Sequence, residues 1–301
     1  MDLPEPSIPA LRRAPFHGLD AWWIQTPAAR AVLGCFGGQL LSFVPAGGEE
    51  VLWLSPQLAP LPTPVRGGVP VCWPYFGREG QPQRAPAHGR VRTQSWRLLQ
   101  AREEADGRVF LELCPTQADP GGLAVSMQLW IGACLEQHLL TDNPTAATVE
   151  FTEALHSYYR VGDAMDACVH GLDGLDYLDK NDGLSRHRQH GAWSLRDRRD
   201  PGRCDRIYRG GAGHYRIEDP LLGRSIVLET SGSASTVVWN PGQAGAAAMA
   251  DVGAHWRQFL CVEAGNAGDD PVRLAPGERH VLVQRIGVQP LPSPASTEVA
   301  A

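Results

Sequence analysis

Leu123-Ala124-Val125-Ser126-Met127-Gln128-Leu129-Trp130-Ile131 decides the fold. Its large aliphatic side chains stand at the odd positions, and a period of two puts them on one face of a β-strand. Upstream, Val109, Leu111 and Leu113 alternate with Arg108, Phe110 and Glu112 in the same way. Residues 225–229, 236–239, 259–263 and 280–288 are further strand-like runs. Clusters of Gly, Pro, Asn and Asp separate them at short intervals, as antiparallel strands joined by turns require. No window carries the periodicity of a three-turn amphipathic helix. The 33 glycines and 25 prolines are spread through turns and form no single linker. The expected fold class is all-β, a large antiparallel β-sandwich. It is expected as one domain over residues 15–288, with 1–14 and 289–301 as flexible tails.

Composition narrows the chemistry. With 301 residues, 43% of them apolar, the chain can bury a large core. Its net charge of −6 argues against non-specific nucleic-acid binding, which relies on a dense basic surface. Lys180 is the only lysine, so the cationic side is almost wholly arginine, whose planar fork suits phosphate and carboxylate. Seven scattered cysteines without CxxC spacing read as reduced thiols of a cytoplasmic protein, not as a disulfide or zinc framework. No run of about 18 apolar residues predicts a membrane span.

The segment Arg66-Gly67-Gly68-Val69-Pro70-Val71-Cys72-Trp73-Pro74-Tyr75-Phe76-Gly77 is followed by His88-Gly89-Arg90-Val91-Arg92. Its prolines fix φ and remove backbone donors, which excludes a regular helix. The pair reads as a shaped, anion-binding loop that brings arginines and an imidazole to the mouth of a cavity. His156, in Ala154-Leu155-His156-Ser157-Tyr158-Tyr159, falls in a strand-like run that puts it on one face with Tyr158. Two readings stand for it: a core histidine bonded to a carbonyl, or a proton-transfer group working near neutrality. Glu263 ends the apolar run Phe259-Leu260-Cys261-Val262. Either it points to solvent, or it is a partly buried carboxylate whose raised pKa suits a general base. Asp205 and Lys180 are weaker signals, each beside an opposite charge as in surface ion pairs. The arginine-rich stretch 186–203 reads as an exposed, solvated loop. Metal-ligand spacing, a phosphate loop before a helix and the GxSxG elbow are missing, so neither metal nor nucleoside-triphosphate chemistry is expected.

Taken in order, RGGVPVCWPYFG, HGRVR, ALHSYYRVGD, YLDK, CDRIY, VVWNPG and FLCVEAGN resemble the signatures of D-hexose-6-phosphate mutarotases. These are glucose-6-phosphate 1-epimerases of the aldose 1-epimerase, galactose mutarotase-like superfamily, and the resemblance runs from about residue 20 to 288. It implies a supersandwich whose concave face holds the sugar, and cofactor-free interconversion of the α and β anomers of a hexose 6-phosphate. By the same resemblance, His156 would protonate the ring oxygen O5 and Glu263 would take the proton from the C1 hydroxyl. Arg66 and Arg92, with His88 beside them, would hold the phosphorylated substrate, and Asp205 would orient a hydroxyl. The chain departs from the family pattern at Arg90 and Val91, where an aromatic and a small residue are usual; Arg90 either adds phosphate affinity or points to solvent. A small-molecule hexose phosphate is thus the expected partner, with no nucleic acid, no membrane and a monomeric state. Two alternatives stay open: an aldose 1-epimerase for unphosphorylated sugars, and a non-catalytic sugar-phosphate-binding protein.

Overall fold

The computed structural model describes residues 6–78, 86–199 and 201–291. Among them, strands form antiparallel sheets of nine, eight, four and two members. The nine-stranded sheet is centred on Arg279–Pro290, with Leu135–Asp142 and Ala124–Ile131 continuing it on one side and Arg224–Ser231 on the other. The alternation read from the sequence is realised here: Met127, Leu129 and Ile131 have no solvent exposure, and neither do Leu111 and Leu113 on the paired strand. Burying such side chains contributes roughly 1.5–3 kcal/mol each.

The eight-stranded sheet builds the functional face. Its order is Ser185–Arg188, Asp176–Asp179, Cys204–Arg209, Ser235–Asn240, Phe259–Asn266, Glu153–Leu155 and Val71–Cys72, with Tyr158–Arg160 also pairing Phe259–Asn266. Even-numbered Val238, Leu260, Val262 and Ala264 point into the main core shared with the nine-stranded sheet. Odd-numbered Asp205, Val237, Trp239 and Glu263 therefore project from the opposite face. Between the sheets, Ser157 Oγ donates to Gln284 Oε1 at 2.9 Å, and Gln284 in turn donates to Gln137.

Two expectations at the ends are corrected. Leu11–Phe16 is a strand paired with Leu19–Gln25, so residues 11–14 are not a tail. The cause is a tight turn at His17-Gly18, with φ of 50° and 80°, the positive values that two-residue hairpins need. Arg12 also covers the Trp23 ring at 4.8 Å. At the other end, residues 289 and 290 pair with Ser225 and Arg224. Residues 1–5 and 292–301 of the expected tails lie outside the described residues. The only α-helix among the described residues is Gly242–Ala246, and no helix is long and apolar enough to cross a membrane.

The loop at 66–77 is non-helical, as its prolines require. Gly67 and Gly68 take φ of 101° and 63°. Gly68 donates to the Trp53 carbonyl at 2.7 Å and its own carbonyl accepts from Tyr158 N–H at 2.8 Å. A Cβ at Gly68 would sit 2.0 Å from the Leu40 carbonyl oxygen. Gly68→Ala should accordingly lower the unfolding free energy by at least about 1 kcal/mol, combining αL strain with that clash. Urea unfolding measures this, and an unchanged midpoint would contradict it.

Candidate active site

His156 stands where the strand run of residues 153–160 breaks. Leu155 lies opposite Ala264 and Tyr158 opposite Cys261, so the register passes through the break unchanged. His156 thereby falls across from Glu263, on the same face, without a ladder bond between them. Its backbone N–H donates to the Pro70 carbonyl at 3.0 Å, tying the break to the 66–77 loop. The imidazole stacks on Tyr158, with centroids 4.8 Å apart and rings 7° from parallel. Glu263 is not at a strand end: the strand continues to Asn266, and its carboxyl is buried. The solvent-pointing reading is thus excluded.

His156 Nδ1 lies 3.3 Å from Glu263 Oε1, at an angle that makes no hydrogen bond. Neither Glu263 oxygen has a hydrogen-bond partner among the described residues. Burial is the main reason the carboxyl holds its proton far above the usual range, and the Asp205 charge adds to it; Lys180 and Arg92 oppose. Burial also drives His156 well below the ordinary imidazole value, helped by His88, Arg92 and Arg66. The two groups form a coupled pair. One shared proton permits either neutral acid with neutral imidazole, or carboxylate with imidazolium, and burial favours the neutral pair.

All six residues singled out in the sequence line one cavity of about 370 Å³: Arg66, His88, Arg92, His156, Asp205 and Glu263. A larger hollow of about 630 Å³ behind the 90–94 segment contains neither His156 nor Glu263. His88 adopts φ of 64°, and the following glycine is forced, because a Cβ at Gly89 would lie 2.0 Å from the Trp73 carbonyl oxygen. His88 Nδ1 accepts from Gly77 N–H at 3.3 Å. Burial, then the nearby Arg92, Lys180, Arg66 and Arg78, push His88 down to about 3, so it is a neutral imidazole at physiological pH. Arg66 is already engaged: Nε donates to Asp251 at 2.9 Å and a terminal nitrogen donates to the Tyr158 hydroxyl at 3.0 Å. Arg92 is 8% exposed, and its Nε has no hydrogen-bond partner among the described residues. It is the arginine with free donor capacity facing the cavity.

Sequence reasoning missed four participants. Asp251 anchors Arg66 from 185 residues away and carries no local signal. Trp239 and Met249 wall the cavity as ordinary apolar residues. Lys180, read from the sequence only as half of a surface ion pair, also lines it, with Nζ 3.4 Å from Asp205 Oδ1. Two readings need correction. Arg90 neither serves phosphate nor points free to solvent: it pairs with Asp119 at 2.6 Å and covers the Tyr75 ring. The arginines of the 186–203 stretch are exposed as expected, but the stretch is not all loop: Ser185–Arg188 and Trp193–Ser194 are strands, and Trp193 is buried.

His156, Cys261 and Glu263 bring donor atoms within 4.8 Å of one another, as do Cys168, His170 and Glu218 elsewhere. Burial, with Glu263 adding to it, holds the Cys261 thiol well above its usual range, away from the thiolate that a metal needs. In the second set Glu218 already accepts from Arg216 at 2.9 Å. The first set is therefore better suited to proton transfer.

The aldose 1-epimerase family pattern matches residues 20–287. A protein of Escherichia coli K12, "Putative glucose-6-phosphate 1-epimerase", is 35% identical over 275 residues, covering 87% of this chain and 88% of its own. The solved structure of YeaD from Salmonella typhimurium superimposes with a TM-score of 0.85 at 30% identity, covering 96% and 97% of the two chains. A galactose mutarotase-like protein of Clostridium acetobutylicum shares the fold at 14% identity, with a TM-score of 0.70 and coverage of 93% and 98%.

A carboxyl whose folded-state proton affinity is raised stabilises the fold below the unfolded value near 4.5 and loses that contribution as pH rises above it. Glu263→Gln removes the penalty. Its stability gain over wild type should therefore grow from pH 4.5 to pH 8, reaching at least about 1 kcal/mol, the worth of less than one pKa unit. Denaturation at both pH values measures it, and a pH-independent difference would contradict the buried, proton-holding carboxyl.

Proposed function

The chain belongs to the aldose 1-epimerase family, and from that premise we propose that it interconverts the α and β anomers of a hexose 6-phosphate, glucose 6-phosphate foremost. The observation that carries this reading is the union, in one cavity, of a coupled His156–Glu263 pair with the cationic side chains Arg66 and Arg92. A neutral aldose needs no such cations, whereas a phosphate dianion is held well by charge-assisted bonds from arginine. A pure binding protein has no use for a buried acid–base pair.

In the proposed cycle Glu263 is the carboxylate and His156 the imidazolium when the cyclic sugar reacts. Glu263 takes the proton of the C1 hydroxyl, the C1–O5 bond breaks, and His156 gives its proton to O5. The products are the open-chain aldehyde, a neutral carboxylic acid and a neutral imidazole. This is the pair that burial favours, so the site's electrostatics stabilise the ring-opened state. Rotation about C1–C2 presents the other face of the aldehyde, and the reverse transfers close the ring. Arg92 holds the phosphate through its free donors. Arg66, fixed by Asp251 and Tyr158, turns its remaining donor capacity to it, and neutral His88 donates from Nε2. Asp205 orients a sugar hydroxyl. Every proposed site residue comes from one chain and from one domain spanning the matched residues, so a monomer suffices. The seven free cysteines support a reducing, cytoplasmic setting.

Exchange NMR on equilibrated glucose 6-phosphate, with free glucose alongside, tests the reading. Acceleration of the phosphorylated sugar above the free one is expected, and no acceleration of either would overturn it. His156→Ala should lower kcat by about 10²–10⁴-fold, the range of general acid–base catalysis. Arg92→Gln should raise KM for glucose 6-phosphate at least tenfold, roughly the worth of one lost charge-assisted bond, and leave KM for glucose nearly unchanged. Equal effects on both sugars would remove Arg92 from the phosphate.

A further inference from the structure

The chain's sole lysine stands in this cavity. Lys180 opens the 3₁₀ turn Lys180–Asp182, directly after the strand Asp176–Asp179. Asp179 fixes the turn, accepting from Asn181 N–H at 2.9 Å and from Arg199 Nε at 3.3 Å. Because that strand pairs with Cys204–Arg209, the turn carries the lysine alongside Asp205. Nζ lies 3.4 Å from Asp205 Oδ1 and 5.7 Å from the centre of the Phe76 ring. The ammonium is thus held between the sheet that bears Glu263 and the loop that covers it.

We propose that Lys180 is a positioning residue for the base: its ammonium, held beside Asp205 in the cavity, makes the Glu263 carboxylate easier to form while a substrate phosphate occupies the arginines. The inference rests on the phosphorylated-substrate reading above. The charged and titratable groups around Glu263 are His156 at the strand break, Cys261 on its own strand, Tyr159 and Cys72 on nearby strands, Asp205 across the sheet, Arg92 from the loop, and Lys180. Burial and Asp205 favour the protonated acid, while Lys180 and Arg92 favour the carboxylate. A phosphate dianion on Arg92 cancels that arginine's field at Glu263. Lys180 is then the cation that still favours the carboxylate form. The same phosphate relieves His156 of the positive charge that Arg92 and Arg66 place beside it. Substrate therefore favours the charged acid, and the lysine favours the charged base. A compact ammonium reaches this position between Asp205 and Phe76 without spreading a planar fork across the sugar's space.

The test is the pH dependence of kcat for wild type, Lys180→Gln and Lys180→Arg, on glucose 6-phosphate and on glucose. With the phosphorylated sugar, Lys180→Gln should move the acid limb about one pH unit higher and lower kcat near that limb about tenfold. Lys180→Arg should return the limb to within a few tenths of a unit of wild type, which a merely structural role would not predict. With glucose the shift should be smaller, because Arg92 keeps its field. An acid limb that stays in place in Lys180→Gln overturns the proposal. Wild type inactive on glucose 6-phosphate overturns the substrate reading instead, and the two failures are separated by the wild-type assay alone.

Discussion

A carboxyl group buried away from solvent, with an imidazole 3.3 Å away and no hydrogen bond to either oxygen among the described residues, is the constraint on which the site depends. An isolated carboxylate there would be costly, so the group keeps its proton and the histidine beside it gives its own up. That arrangement opposes stability at neutral pH. It persists because the strand Phe259–Asn266 lies between two neighbours in a sheet whose other face is core, which holds the Glu263 side chain buried.

The rest of the architecture places charge around that pair. The strand break at His156 keeps register with Glu263 while freeing the backbone to bond the 66–77 loop. Glycines at 67, 68 and 89 let the loop backbones approach the Trp53, Leu40 and Trp73 carbonyls more closely than any side chain allows, and Arg66, His88 and Arg92 line the cavity. Asp251 and Tyr158 then hold Arg66, leaving Arg92 with donors to spare. One shared proton suits a reaction that takes a proton at one sugar oxygen and returns one at another, because the dyad's two states accompany the cyclic and the open sugar.

Strand alternation was legible because period-2 patterning is local: Met127, Leu129 and Ile131 are buried as their odd positions require. The site was legible as ordered motifs, and the fold gathers Arg66, His88, Arg92, His156, Asp205 and Glu263 into one cavity. What escaped depended on distant partners. The Arg66–Asp251 pair joins residues 185 apart, and neither segment announces the other. The depth of Glu263 was ambiguous because Ala264-Gly265-Asn266 reads as a turn, whereas pairing with Glu153–Leu155 and Ser235–Asn240 extends the strand through it. The short strands Ser185–Arg188 and Trp193–Ser194 escaped because the exposed arginines in and beside them hide the pairing with Asp176–Asp179 and Cys168–His170 that makes them strands.

The protonation state of Glu263 in the free protein is the quantity on which stability, mechanism and the role of Lys180 all turn. Carboxyl resonances of protein labelled with ¹³C at the glutamate side chains, followed from pH 4.5 to pH 8, report it directly. The account predicts a signal that remains that of a neutral acid at pH 7 and is absent from Glu263→Gln. A Glu263 signal that is already that of a carboxylate at pH 5.5 would contradict it.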